Sequence, residues 1–166
     1  DVRGNIDTRI QKLKDNKWDG LIVAESAIKR LELDIPYYRF SNDEMTPAAG
    51  QGAVAIEVVS TRTDLKNILS KINHNPSSMA VEIERHIINK LEGGCKTPVG
   101  CLASIHKNEL KIDAYLSDIT GTRVIRISDS GQLSHKIEII ENIISAFMDE
   151  GARAIIDSNR KALDNV

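Results

Sequence analysis

An α/β segment followed by an α+β segment is the architecture this sequence predicts, and three observations carry it. Near the start, the continuous apolar run Leu21-Ile22-Val23-Ala24 stands between two helical patterns, as a strand buried on both faces of a parallel sheet would. Further on, an apolar period of four from Met79 to Leu91 gives way to a period of two from Val99 to Leu116. Between the halves, Asn73-His74-Asn75-Pro76-Ser77-Ser78 is polar turn chemistry and the clearest domain boundary.

Taken in order, Asn5 can cap a helix running to Lys14, with Ile6, Ile10 and Leu13 on one face. Gly20 ends the connection to the apolar run, and a second helix is expected from about Ser26 to Leu31. Residues 34–52 have no clear period and hold Pro36, Pro47, Gly50 and Gly52. The β-rich residues 53–59 predict another buried strand, and Thr61 with Asp64 three residues on starts a helix reaching about Ile72.

Past the boundary, Pro76 suits a first helical position, and Met79, Ile83, Ile87 and Leu91 form one buried stripe. Val99, Cys101, Ala103 and Ile105 then alternate with polar or small neighbours, as do Leu110, Ile112, Ala114 and Leu116; a turn at Lys107-Asn108 makes them a hairpin. A third strand is expected from Arg123 to Ser128. Ser134 then caps a helix whose apolar face is Ile137, Ile140, Ile144 and Phe147, ended by Gly151. These elements predict a three-stranded antiparallel sheet with one face covered by helices.

Composition narrows the function. In 166 residues, 41 % are hydrophobic and 28 % charged, with a net charge of −2 and both signs interspersed. Neither a nucleic-acid surface nor an anionic-membrane surface is indicated. No apolar run approaches the roughly 18–20 residues that span a bilayer. The histidines at 74, 86, 106 and 135 have no metal-ligand spacing, and a metal site is not expected. Cys95 and Cys101 suggest neither a disulfide framework nor zinc, so a reducing, cytoplasmic setting is expected.

The chemistry concentrates around Cys95. An apolar helix runs into Gly93-Gly94, a thiol follows, and Pro98 stiffens the far side. Lys96 beside the sulfur favours the thiolate. The alternative is a C-capped helix followed by a small buried cysteine. Cys101, in phase with Val99, Ala103 and Ile105, is expected to point into the core, which leaves Cys95 for chemistry. Glu82, Glu84 and Glu92 read as helix-surface acids, and Arg39, Arg62 and Arg123 as surface charges.

The stretch Leu91-Glu92-Gly93-Gly94-Cys95-Lys96-Thr97-Pro98-Val99-Gly100 resembles the cofactor-anchoring loop of the porphobilinogen deaminase (hydroxymethylbilane synthase) family. Three further stretches resemble that family in the same order: Arg3-Gly4-Asn5-Ile6-Asp7-Thr8-Arg9, Ala27-Ile28-Lys29-Arg30-Leu31, and Pro47-Ala48-Ala49-Gly50-Gln51-Gly52-Ala53. The resemblance runs from Arg3 to about Gly151. Lys96 and Thr97 stand where the family often has other residues.

The resemblance implies a transferase that condenses four porphobilinogen molecules head to tail, with loss of ammonia, to give hydroxymethylbilane. Cys95 would hold a dipyrromethane cofactor through a thioether, since a thiolate can trap the electrophilic carbon formed when a pyrrole loses its aminomethyl amine. Arg3, Arg9 and Arg30 would bind the acetate and propionate groups of cofactor and substrate, because planar guanidinium pairs with carboxylate in bidentate fashion. Asn5 and Gln51 are weaker cofactor-binding candidates: Asn5 is also a helix cap, and Gln51 also suits a hinge loop.

By the same resemblance, residues 1–47 are the second half of a periplasmic-binding-protein-like middle domain. Residues 48–75 carry a crossover strand and helix of the first domain, and residues 76–166 are the C-terminal α+β domain that presents Cys95. The catalytic aspartate would belong to an N-terminal portion outside this chain, so the chain alone is expected to be inactive and, otherwise, monomeric. Two rival readings keep Cys95 as a free thiol. One is a non-catalytic α+β binding module; the other is a domain that holds a polycarboxylate through Arg3, Arg9 and Arg30 without chemistry.

Overall fold

A computed structural model describes residues 2–91 and 97–164 and divides the chain into two compact units, Asp1–Phe40 and Ser41–Val166. Among the described residues no helix is long and apolar enough to cross a membrane.

The first unit holds two helices, α1 (Ile6–Asp15) and α2 (Glu25–Arg30). Asn5 occupies the N-cap position of α1, but its side chain makes no capping hydrogen bond. Residues 21–24 run extended and unpaired, and Ile22 is 66 % exposed. The expected strand is therefore not formed: a strand is defined by its ladder, and no neighbouring strand lies beside this run among the described residues. Ile28 is the buried hydrophobic residue of this unit. Beyond α2 the chain folds back through Glu25, whose carboxylate meets Lys29 Nζ at 2.9 Å and Arg39 Nε at 3.4 Å and accepts the Tyr37 hydroxyl at 3.3 Å. The Lys29 hydrogen bond, aided by the Arg39 charge, holds the Glu25 carboxyl below the usual carboxylate range.

In the second unit, α3 (Thr63–Leu69) continues into a short 3-10 turn, and α4 (Asn75–Lys90) follows with Pro76 in its first turn. Residues 53–59 are extended without a partner strand, with Val54 90 % exposed, and so differ from the expected buried strand for the same reason as residues 21–24. At the start of α3, Arg62 is not a lone surface charge: it grips Asp64 through two hydrogen bonds of 2.9 and 2.7 Å.

The sheet is antiparallel in the order β1 (Val99–His106), β2 (Glu109–Ser117), β3 (Val124–Gln132). Val99 pairs with Leu116, and Leu116 in turn with Ile125, so alternate residues of all three strands share a face. Lys107 and Asn108 take positive φ in the β1–β2 turn, as a two-residue hairpin loop requires. Asp118 closes the β2–β3 turn, accepting the Thr122 amide at 2.8 Å and the Thr122 hydroxyl at 2.7 Å.

One face of this sheet is covered by α4, α5 (Lys136–Asp149) and α6 (Ala152–Asp164), and the core lies between. The stripe of α4 is as the period predicts, with Ile83, Ile87 and Leu91 buried. That of α5 is rotated from the expected one. Ile139, Ile143 and Phe147 are buried, whereas Ile137 is 66 % exposed beside an open groove shared with Met79 and Ile140. Eight apolar side chains on this helix allow two overlapping stripes, and the buried one brings Ile139 against Gly131. A Cβ there would stand 3.3 Å from Ile139 Cδ1, so the bare backbone admits that side chain. Nor does Ser134 cap α5, whose N-cap position is His135.

Helix α6 extends the predicted set. Gly151 turns the chain at φ +86°, and Ala152, Ile155, Ile156 and Asn159 then face inward at helical spacing. Asn159 is satisfied there, accepting the Ile119 amide at 3.0 Å and donating to the Ser117 carbonyl at 2.9 Å. Phe147, fully buried, touches the centre of this core. Phe147→Ala is expected to destabilise the unit by about 3–5 kcal/mol. Urea unfolding followed by circular dichroism measures this, and a loss under about 1 kcal/mol would mean the site collapses around the truncation.

Candidate functional site

The candidate residues fall in three places in the chain. At the first, the start of α1, Arg9 is half-buried and its Nε donates to the Gly4 carbonyl at 2.8 Å, while Lys12 Nζ reaches the Arg3 carbonyl at 3.0 Å. Gly4 makes this bend at φ +122°, a conformation open to glycine. Arg3, Asn5 and Arg9 are therefore gathered at one helix start, where free amides add to the positive field. Arg30 closes α2 with its side chain exposed.

The second place is residues 46–53, a double turn. The Gln51 amide donates to the Ala48 carbonyl and the Ala53 amide to the Gly50 carbonyl, each at 3.0 Å, and Gly50 takes φ +72° as the third residue of the first turn. Gln51 itself is exposed.

This turn is held by a residue that the sequence reading placed on the helix surface. Glu84 of α4 is 4 % exposed. Its Oε2 accepts the Gly50 amide at 2.7 Å, and its Oε1 accepts the Ala103 amide at 2.9 Å. The helical phase was available as a signal, because Glu84 lies four residues past buried Ala80 and three before buried Ile87.

The third place is the junction from α4 to β1. Cys95, with Glu92 and Lys96, lies outside the described residues; the flanks are Leu91, fully buried, and Thr97. The other thiol is placed clearly. Cys101 is fully buried on the core face of β1, and burial, with the Glu84 and Asp113 carboxylates nearby, pushes its pKa up to about 12. Such a group is neither nucleophile nor ligand at neutral pH.

Each place has its own chemistry. Guanidinium groups at a helix start suit carboxylates, and an uncovered amide side chain on a tight turn suits a planar hydrogen-bonding partner.

The chain is similar to known proteins along most of its length. A family model described as "Porphobilinogen deaminase, dipyromethane cofactor binding domain" matches residues 1–67, and one described as "Porphobilinogen deaminase, C-terminal domain" matches residues 78–145. Porphobilinogen deaminase of Helicobacter acinonychis is 35 % identical over 158 residues, covering 94 % of this chain and 51 % of the relative. That of Desulfitobacterium hafniense is 30 % identical over 165 residues, covering 99 % and 53 %. A Campylobacter hominis relative of the same name is 43 % identical over 128 residues, covering 75 % and 41 %. The chain spans about half the length of the curated relatives it matches.

The burial of Cys101 yields a direct test. Because Cys101 is fully buried and its thiol holds its proton, a maleimide reagent at pH 8 should leave it unlabelled in folded protein and label it in denaturant. Peptide mapping by mass spectrometry reads both states. Rapid native labelling would show that β1 opens.

Proposed function

Because the chain belongs to the porphobilinogen deaminase family, we propose that it is the C-terminal portion of an enzyme that condenses four porphobilinogen molecules into hydroxymethylbilane. The observation that carries this is the pair of domain matches, in family order, over chemically suitable residues. Cys95 is the covalent anchor of a dipyrromethane cofactor. Its thiolate would hold the group through a C–S bond to a pyrrole methylene carbon, made after the aminomethyl C–N bond has broken and ammonia has left. The bound group supplies the primer on which pyrrole units are added.

The residues present fit such a group. The core position of Cys101 leaves Cys95 as the thiol for attachment. Arg3, Arg9 and Arg30 hold the acetate and propionate side chains, with Arg9 oriented by its bond to the Gly4 carbonyl. Gln51 and Asn5 supply neutral hydrogen bonds. The general acid is an aspartate outside this chain, so the chain alone is inactive.

In this reading residues 1–47 belong to a periplasmic-binding-protein-like middle domain, residues 48–75 cross to the first domain, and residues 76–166 are the third. The unpaired runs 21–24 and 53–59 support it, since each carries exposed apolar side chains and an open ladder that a neighbouring strand would close. The chain works in the cytoplasm, where a free thiol persists.

The decisive measurement is the mass of the Cys95 peptide from the full-length protein. An added mass of two pyrrole units is expected on Cys95, and none in Cys95→Ser. An unmodified thiol in protein supplied with porphobilinogen would support a binding module instead. Replacing Arg9 by Leu should raise KM for porphobilinogen or slow cofactor loading by about 10- to 100-fold, from loss of one charged hydrogen-bonding group. Unchanged loading and KM would remove Arg9 from the site.

A further inference from the structure

We propose that Glu84 is a positioning residue: it fixes the turn bearing Gln51 to the two elements that flank the Cys95 loop. The proposal rests on the reading that Gln51 contacts the bound pyrroles.

A carboxylate that is 4 % exposed is costly unless both oxygens are satisfied, and here both take backbone amides from separate parts of the chain. Glu84 stands on α4, Ala103 on β1 and Gly50 in the Ala48–Gln51 turn, so one side chain ties three pieces together.

Two further features press the same segment onto β1. The Pro47 carbonyl accepts the Cys101 amide at 2.9 Å. Gly100 has no Cβ where one would stand 2.8 Å from the Thr46 carbonyl oxygen and 2.9 Å from that of Pro47. Because β1 is an edge strand, the Cys101 and Ala103 amides would otherwise be an open ladder. Pro47 and Glu84 close it.

A plain linker needs none of these devices. A bare glycine, a backbone bond and a buried carboxylate, acting on Thr46, Pro47 and Gly50, make the turn move with α4 and β1. Those two elements begin and end the loop that holds Cys95, so Gln51 keeps a constant relation to both ends of that loop.

The test uses the full-length enzyme. In Glu84→Gln an NH2 group replaces one oxygen and meets a backbone N–H, so one of the two bonds is lost. Amide exchange at Gly50, read by mass spectrometry, should quicken about tenfold or more, and KM for porphobilinogen should rise about tenfold with a smaller change in kcat. Gly100→Ala displaces Thr46 and Pro47 from the opposite side with Glu84 intact and should give the same pattern. It serves as the probe should the first variant not fold.

The readout that separates positioning from stability is the Gln51→Ala background. There the Glu84→Gln penalty on KM should largely vanish, because the group being positioned is gone. A penalty that adds in full, or unchanged exchange at Gly50, overturns the positioning role while leaving Gln51 in the site. If Gln51→Ala has wild-type kinetics, the reading of Gln51 falls, and the positioning role falls with it.

Discussion

Every buried backbone amide and carbonyl has to be paired, and that constraint sorts this chain more sharply than hydrophobicity does. The three strands of the C-terminal sheet meet it among themselves, apart from the outer edge of β1. That edge is finished by the Pro47 carbonyl and the Glu84 carboxylate, neither of which belongs to a strand. Residues 21–24 and 53–59 have strand-like composition and no ladder partner among the described residues, so they lie extended and expose what they would otherwise bury. One chain thus holds a finished sheet and two extended runs without ladder partners among the described residues.

The same economy separates the two thiols. The alternation that makes β1 a strand sends Cys101 into an apolar interior with two carboxylates in range, where the proton is held. Cys95, which follows α4 and precedes β1 in the sequence, lies outside the described residues. Arg3 and Arg9 lie about the start of α1 and Arg30 at the end of α2, away from the packed stripes of the C-terminal unit.

Much of the C-terminal unit was legible in the sequence because each of its elements buries one face. Met79 to Leu91 and Val99 to Leu116 carry their periods openly, and the hairpin at Lys107-Asn108 lies where polar turn residues placed it. Where the pattern is degenerate it does not decide: α5 has apolar residues for two stripes, and the buried one is seen only where Ile139 meets Gly131 of the preceding strand. Helix α6 was passed over because Gly151 reads as an ending, although Ala152, Ile155 and Ile156 resume the period. Glu84 was misplaced because its residue type says surface while its phase says core. The strands at 21–24 and 53–59 were read from composition, but composition supplies no partner. The arginines and Cys95 came from resemblance, since charge and spacing alone do not separate a binding arginine from a solvated one.

The unpaired run Ala53-Val54-Ala55-Ile56-Glu57-Val58-Val59 also has a bearing on how the polypeptide behaves outside its intended assembly. Four β-branched residues in seven, without proline and with one charge, approach the composition of a self-pairing segment. Val54, Ile56 and Val59 are on the surface, and Glu57 alone interrupts the run with charge. Whenever this segment lacks a strand beside it, a second copy of itself is the best remaining template, and concentration decides the outcome. The single carboxylate of Glu57 is the charge that such self-pairing would have to bury or line up against its own copy.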